Sequence, residues 1–298
     1  MPSPEYETLV ANLRTAQLTQ TQDLNEMRAG WEKFTATTMP PAPDISFESV
    51  DANGVTAEWV AAPTTDPSRI VLYFHGGGYT VGSILSYRNF TGRLARATQS
   101  RVLAVEYRLA PEHPFPAAVD DAVASYRWLI AQGIPPNRIA IGGDSAGGGL
   151  ALACTVALRD AGDPLPAAVV VISPSTDLAK EGASIRERAH LDPIVTYESS
   201  SAHAKRYLGE NGDYKHPLAS PLYADYHGLP PMLILVGTHD ALHDDSTRVA
   251  TKAEAAGGDV TFDIWEHMIH VWPVFAEILP EGRAAIEQIG AYVRARIL

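Results

Sequence analysis

Residues 143–147 have the sequence Gly-Asp-Ser-Ala-Gly, so that a single serine stands between small residues. A short apolar segment, Arg138 to Ile141, precedes them, and a proline-free stretch rich in Ala, Leu and Gly, Ala146 to Ala157, follows. This pattern predicts a strand, a tight turn and a helix. A Gly-x-Ser-x-Gly turn in that context is a nucleophile elbow, whose strained backbone exposes the hydroxyl. Ser145 is therefore the candidate nucleophile.

Two other interpretations of this turn are a flexible glycine-rich loop and a phosphate cradle at a helix N-terminus. A P-loop would place Lys-Ser or Lys-Thr after its glycines, and this sequence has neither after Gly147. The nucleophile interpretation then requires an oxyanion donor loop earlier in the chain, and an acid and a histidine later in it.

A serine hydroxyl is a weak nucleophile until a base accepts its proton and an acid orients that base. The acid candidate is Asp240, four residues beyond an apolar segment that ends at Val236. Asp244 and Asp245 would instead open the next helix, where carboxylates favour the N-terminal dipole. We therefore predict that Asp240 is the acid.

The base candidates follow the apolar segment Val260 to Trp265. His267 and His270 both lie in the loop that should open beside Ser145. Either could also be a surface or structural histidine, and spacing alone leaves the choice between them open.

Oxyanion donors are expected where His75-Gly76-Gly77-Gly78 follows the apolar strand Arg69 to His75. Glycines let backbone N–H groups point into a site without side chains in the way, and the N–H of Ala146 is the expected partner donor. The alternative interpretation is an ordinary turn after a strand.

These residues need a scaffold that brings several strand ends together. The hydrophobic pattern predicts a hairpin followed by alternating strands and helices, which indicates an α/β fold with a mostly parallel sheet. The predicted strands are 45–50, 55–60, 69–75, 101–106, 138–141, 167–172, 232–236 and 260–265, and the main helices are 87–98, 117–131, 146–157, 245–256 and 284–297.

Two further segments lie outside this alternation. Residues 5–38 carry apolar side chains at loosely helical spacing, including Leu18, and the pattern breaks at Met39. Residues 173–231 form an unusually long connection with a helix predicted at Tyr197 to Leu208. Together they could form a lid over Ser145.

Composition limits the classes of partner. The chain has 298 residues, 46% hydrophobic and 19% charged, with a net charge of −12, which disfavours nucleic acid and anionic membranes. The only cysteine, Cys154, falls in the helix after the elbow and is expected to pack. We find no signal sequence and no apolar run near the roughly 18 residues of a membrane span, so a cytoplasmic protein is expected.

Beyond single motifs, the chain strongly resembles the bacterial hormone-sensitive-lipase-like esterases and lipases of the α/β-hydrolase superfamily over about residues 70–298. The segments that carry the resemblance are HGGG at 75–78, YRLAPEHPFPAA at 107–118, GDSAGG at 143–148, DAL at 240–242 and MIH at 268–270.

The resemblance implies an α/β-hydrolase fold, with a mostly parallel eight-stranded sheet, helices on both faces and a helical cap. Cap helices would occupy residues 1–40 and a cap insertion residues 178–216, around a catalytic domain formed by 41–177 and 217–298. Members of the family often dimerise, so a homodimer is an expectation taken from the resemblance alone.

The resemblance also assigns roles. Ser145 becomes the nucleophile, Asp240 the acid and His270, rather than His267, the base. Gly77, Gly78 and Ala146 become the oxyanion donors. The segment 107–118, with Glu112 and His113, and Asp144 are expected to be structural.

The resulting hypothesis is a serine carboxylesterase for short- to medium-chain esters that needs no metal or cofactor. Many relatives have Gly-Phe after the catalytic histidine, whereas this chain has Val271-Trp272-Pro273, which is similar to a subgroup of monoterpene lactone hydrolases. A lactone hydrolase, a peptidase or amidase, and a non-catalytic small-molecule receptor are the alternatives.

Overall fold

A computed structural model describes residues 1–15 and 23–297. Leu18, which belongs to the predicted N-terminal helical segment, and Leu298 lie outside the described residues. In the described part, the strands are β1 Ser46–Asp51, β2 Thr56–Ala61, β3 Asp66–Phe74, β4 Ser100–Val105, β5 Ile139–Asp144, β6 Ala168–Ile172, β7 Met232–Gly237 and β8 Val260–Trp265.

The helices of the described part lie around these strands, and the first two come before β1 in the chain. They are α1 Pro4–Thr15, α2 Leu24–Thr38, α3 Ile84–Thr98, α4 Ala117–Ala131, α5 Ser145–Ala161, α6 Ser184–Glu187, α7 Tyr197–Leu208, α8 His243–Ala255 and α9 Pro280–Arg296. The sequence pattern does not predict the short α6, whereas α4 and α7 have the predicted bounds.

All eight strands form one sheet, in the order β1-β2-β4-β3-β5-β6-β7-β8. The pairs β1/β2 and β2/β4 are antiparallel, and every other neighbouring pair is parallel. The predicted hairpin and the mostly parallel eight-stranded sheet are confirmed. The parallel arrangement brings the carboxyl ends of β5, β7 and β8 to one edge, where ligands bind in such sheets.

Alternate residues of the central strand β3 enter two separate cores. Ile70, Leu72 and Phe74 pack with α4, α5 and α8 on one face, and Val71 and Tyr73 pack with α1, α3 and α9 on the other. Residues 70–74 of β3 are buried on both faces, which is why they form a continuous hydrophobic run. The prediction of helices on both faces is confirmed.

The strand before the elbow is longer than predicted. It runs to Asp144, because Gly142, Gly143 and Asp144 continue the ladder with β6. Glycine has a low strand propensity, so the sequence pattern ends the strand at Ile141, but pairing with a buried neighbour overrides that preference. The buried Cys154 packs in the α5 core, and no described helix has both the length and the apolar character to cross a bilayer.

Candidate active site

Ser145 is the first residue of α5 and directly follows β5. Its φ of 51° lies in the left-handed region, which a non-glycine residue adopts at a cost of about 1–3 kcal/mol. A methyl group on Gly147 would overlap the carbonyl oxygens of Phe74 and His75. The turn can therefore close only with glycine at this position, and it presents the serine side chain at the sheet edge.

His270 and Asp240 reach Ser145 from two other loops. The Nε2 atom of His270 lies 2.9 Å from Ser145 Oγ, and its Nδ1 atom lies 3.0 Å from Asp240 Oδ1. Asp240 is 0% and His270 2% exposed. Asp240 follows β7 and His270 follows β8, so the structure brings together three residues that are far apart in sequence.

Burial and charge shift the pKa values of His270 and Asp240 in opposite directions. Burial alone would lower the pKa of His270, but the neighbouring Asp240 carboxylate outweighs it and holds the pKa above its ordinary value. Burial would likewise raise the pKa of Asp240, and the charge and hydrogen bond of His270 keep it below its ordinary value. The arrangement favours a basic imidazole beside an ionised carboxylate.

The competing candidates lie elsewhere. His267 is exposed, and its ring packs edge-on against His239 at a centroid distance of 5.3 Å. Asp244 accepts the Ser184 N–H at 3.0 Å, and Asp245 accepts the Thr176 N–H at 2.7 Å. None of these three is hydrogen-bonded to His270 or Ser145 within the described residues.

The glycine loop 76–78 follows β3 beside the elbow. Gly77 and Gly78 have φ values of 120° and 61°, a region that disfavours side chains, and both line the same cavity as Ser145. Ala146 is buried directly after the nucleophile candidate. The structure thus places Gly77 and Gly78, two of the three predicted oxyanion donors, beside the space in front of Ser145.

Asp144 connects this loop to the elbow. Its buried carboxylate accepts hydrogen bonds from the Tyr73 hydroxyl at 2.7 Å, the Tyr87 hydroxyl at 2.7 Å and the Gly76 N–H at 3.0 Å. Burial raises the pKa of Asp144 to about 6 against the opposing effect of these hydrogen bonds. As expected from the resemblance, it is a supporting hydrogen-bonding residue.

A cavity of about 310 Å³ opens in front of Ser145. Leu13, Met27 and Trp31 line it from α1 and α2, and Ile194 and His203 line it from the predicted insertion, residues 178–216. Apolar groups therefore surround much of the space next to the nucleophile candidate, as is usual for small-molecule sites.

The segment 107–118 serves the scaffold. The Tyr107 hydroxyl donates to the His75 carbonyl at 2.7 Å, and Glu112 pairs with Arg28 of α2 at 2.8 Å. The Arg28 guanidinium lowers the pKa of the Glu112 carboxyl to about 2. Glu112 thus helps to hold α2 rather than to transfer protons.

Sequence reasoning missed Asp192 in the insertion. Its buried carboxylate accepts the Ala241 N–H at 2.9 Å, and its ligand atoms lie within 4.8 Å of those of Asp240 and His270. This group also has the make-up of a metal site, but both nitrogens of His270 already face Asp240 and Ser145, which suits a proton relay. The only local signal was an Asp-Pro pair inside a Pro-bearing segment.

Known proteins are similar to this chain in sequence. A family model described as alpha/beta hydrolase fold matches residues 71–274. An acetyl-hydrolase of Streptomyces hygroscopicus is 45% identical over 298 residues, covering 99% of this chain and 97% of that protein. An esterase of Acinetobacter venetianus is 34% identical over 253 residues, covering 85% and 83%.

Solved structures give the same picture. The crystal structure of an esterase from the bacterial hormone-sensitive lipase family superposes with a TM-score of 0.97 at 46% identity, covering 100% of both chains.

Proposed function

This chain belongs to the α/β-hydrolase fold family, among the bacterial hormone-sensitive-lipase-like esterases, and on that premise we propose that Ser145, His270 and Asp240 hydrolyse carboxylic esters as a catalytic triad. The protein is a carboxylic ester hydrolase. The observation that carries the residue assignment is the continuous hydrogen-bonded path from Asp240 through His270 to Ser145.

In the first step, His270 Nε2 accepts the Ser145 proton while Oγ attacks the ester carbonyl carbon. Asp240 accepts a hydrogen bond from the Nδ1–H group, which keeps Nε2 unprotonated and able to accept the serine proton. The carboxylate also stabilises the imidazolium that forms. The 2.9 Å separation between Nε2 and Oγ supports this step, because it is within proton-transfer range.

The tetrahedral intermediate carries a negative charge on the former carbonyl oxygen. The N–H groups of Gly77, Gly78 and Ala146 stabilise that charge. His270 then returns its proton to the departing alkoxide, and an acyl-enzyme remains on Ser145. His270 then deprotonates a water molecule that attacks the acyl carbon, and the imidazolium returns this proton to Ser145 Oγ as the C–Oγ bond breaks, which releases the carboxylic acid and the free serine.

The acyl chain is short to medium in this proposal. A cavity of about 310 Å³ bounded by residues of α1, α2 and the insertion has limited room. We expect p-nitrophenyl esters of about four to six acyl carbons to turn over faster than those of about 12 to 16. Faster turnover of the long esters would refute the size argument.

The triad assignment is tested with Ser145→Ala. Turnover should fall by about 10³-fold or more, while thermal unfolding stays close to that of the parent protein. Ser49→Ala, at an exposed position of β1, is the matched control and should retain full activity. Undiminished hydrolysis by the Ser145 variant would overturn the assignment.

Several finer expectations remain predictions. Lactone ring-opening is tested by comparing kcat/KM for a lactone with that for an open ester of the same carbon number. The cap boundaries at residues 1–40 and 178–216, the cytoplasmic location and the homodimer are likewise predictions. The receptor alternative is set aside, because the chain belongs to an esterase family and retains both Ser145 and His270.

A further inference from the structure

Asp192 is a second buried acid beside the relay. It lies between α6 and α7, in the insertion, and is 4% exposed. One carboxylate oxygen accepts the Ala241 N–H at 2.9 Å, and the other accepts the N–H groups of Ile194 at 2.9 Å and Val195 at 3.2 Å. Asp192 therefore links the insertion directly to the residue that follows Asp240.

The residue on the other side of Asp240 is held as well. The Tyr6 hydroxyl of α1 lies 3.1 Å from His239 Nδ1 and donates to the His267 carbonyl. Both neighbours of Asp240 are thus fixed by segments outside the sheet, Ala241 by the insertion and His239 by α1.

The charge of Asp192 also reaches His270. Asp192, Asp240 and His270 offer ligand atoms within 4.8 Å of one another, and all three residues are buried. Two carboxyl groups at this separation cannot both ionise freely. Burial, followed by the charge of Asp240, raises the pKa of Asp192 to about 6, whereas the pKa of Asp240 stays low.

We propose that Asp192 is a positioning residue of the esterase: it fixes the loop of Asp240 through the Ala241 N–H and stabilises the His270 imidazolium as a second, outer anion. This inference rests on the proposed triad. It makes the insertion part of the catalytic relay and not only a cover for the cavity.

Several charged groups surround His270 and Asp192. Asp240, Asp192 and Asp144 act on His270 as negative charges. The Tyr6 hydroxyl of α1 also lies close enough to feel the charge of Asp192, and the Asp192 N–H donates to the Arg188 carbonyl at 3.1 Å. Of these three acids, Asp192 is the one that comes from residues 178–216.

Asp192→Asn keeps an acceptor oxygen for the Ala241 N–H and removes the negative charge, while its amide NH2 replaces the oxygen that accepts the Ile194 and Val195 N–H groups. We expect the acid limb of its kcat/KM profile to move to lower pH, since His270 loses a stabilising anion when protonated. We also expect kcat at neutral pH to fall on the order of tenfold, because the imidazolium forms in the transition state. KM for a neutral ester should change little.

Asp192→Ala, which removes charge and acceptor together, should lose more activity than Asp192→Asn. The matched control is Asp244→Asn, which alters another link between insertion and body without facing His270. Its acid limb should coincide with that of the parent protein.

An Asp192→Asn profile that superimposes on the parent profile, with kcat within about twofold, would overturn the inference. Should both Asp192 variants fail to fold, histidine NMR of the parent protein decides instead. His270 should then show a second inflection near the ionisation of Asp192, and a single-step titration would contradict the proposal. Ser145→Ala separates the two proposals: if it abolishes turnover while Asp192→Asn behaves like the parent, only the Asp192 role fails.

Discussion

The rings of Tyr79 and Tyr207 stack nearly parallel, with centroids 3.8 Å apart and planes 5° apart. Tyr79 directly follows the glycine loop 76–78, and Tyr207 lies in α7. Both residues are buried. The stack therefore fastens the insertion to the segment for which we propose the oxyanion donors.

Replacing Tyr207 by alanine should lower the free energy of unfolding by about 3–5 kcal/mol, because a large buried ring is lost and a cavity remains. Tyr207→Phe is the matched control. The Tyr207 hydroxyl is buried and has no hydrogen-bond partner among the described residues, so this variant should stay within about 1 kcal/mol of the parent. Urea unfolding measures the free energy of unfolding of both variants. An equal loss of stability in Tyr207→Ala and Tyr207→Phe would show that the ring stack is not what stabilises this contact.

Replacing two helical glycines by alanine should have opposite effects: Gly147→Ala should impair the enzyme, and Gly30→Ala should stabilise it. At Gly147 the new methyl group would overlap the carbonyl oxygens of Phe74 and His75, so β3 and the elbow would have to separate. We expect kcat to fall about 100-fold or more as the oxyanion donors move. At Gly30, inside α2, the added methyl meets no atom within 4 Å, so Gly30→Ala should gain about 0.5–1 kcal/mol of stability. Ester turnover and thermal unfolding of both variants check this, and a fully active Gly147→Ala enzyme would show that the close approach is not required.

The local parts of the site could be predicted from sequence because short-range chemistry defines them. A serine between close-packed glycines and a glycine run after a strand each have few structural solutions, and Ser145, Gly77 and Gly78 lie where those patterns put them. The buried strands were likewise recognisable, because a continuous apolar run such as that of β3 is typical of a strand covered on both faces.

The remaining parts depend on contacts between distant segments. Spacing could not separate His267 from His270, since only the packing of the loop after β8 buries one and exposes the other. Asp192 could not be identified either. Its significance comes from a hydrogen bond to Ala241, 49 positions away, and no periodicity predicts a contact of that kind.

Asp245 provides a test of how burial affects stability. Burial raises its pKa in the folded protein to about 6, well above the ordinary aspartate value of 3.8. Between these two values the folded state binds more protons than the unfolded state, so the Asp245 contribution to stability decreases as the pH rises through this range. Asp245→Asn removes that dependence, and its stability relative to the parent should improve from about pH 4 to about pH 7. Urea unfolding of both proteins at a series of pH values measures this difference. A variant that becomes less stable relative to the parent as the pH rises would contradict the prediction.

The pH dependence of turnover should report His270 itself. Only neutral His270 can accept the Ser145 proton, so kcat/KM should rise with pH as the imidazole loses its proton. Because the Asp240 carboxylate raises the pKa of His270, the midpoint of this rise should lie above about 6.5, the ordinary histidine value. Asp240→Asn should move the midpoint down and lower kcat by about 10⁴-fold, since the imidazole then loses both its counter-charge and its correct tautomer. Rate profiles of the parent, Asp240→Asn and Asp244→Asn proteins on one p-nitrophenyl ester give the comparison. A midpoint that stays in place when Asp240 is replaced would mean that the ionisation limiting the rate does not belong to the imidazole beside it.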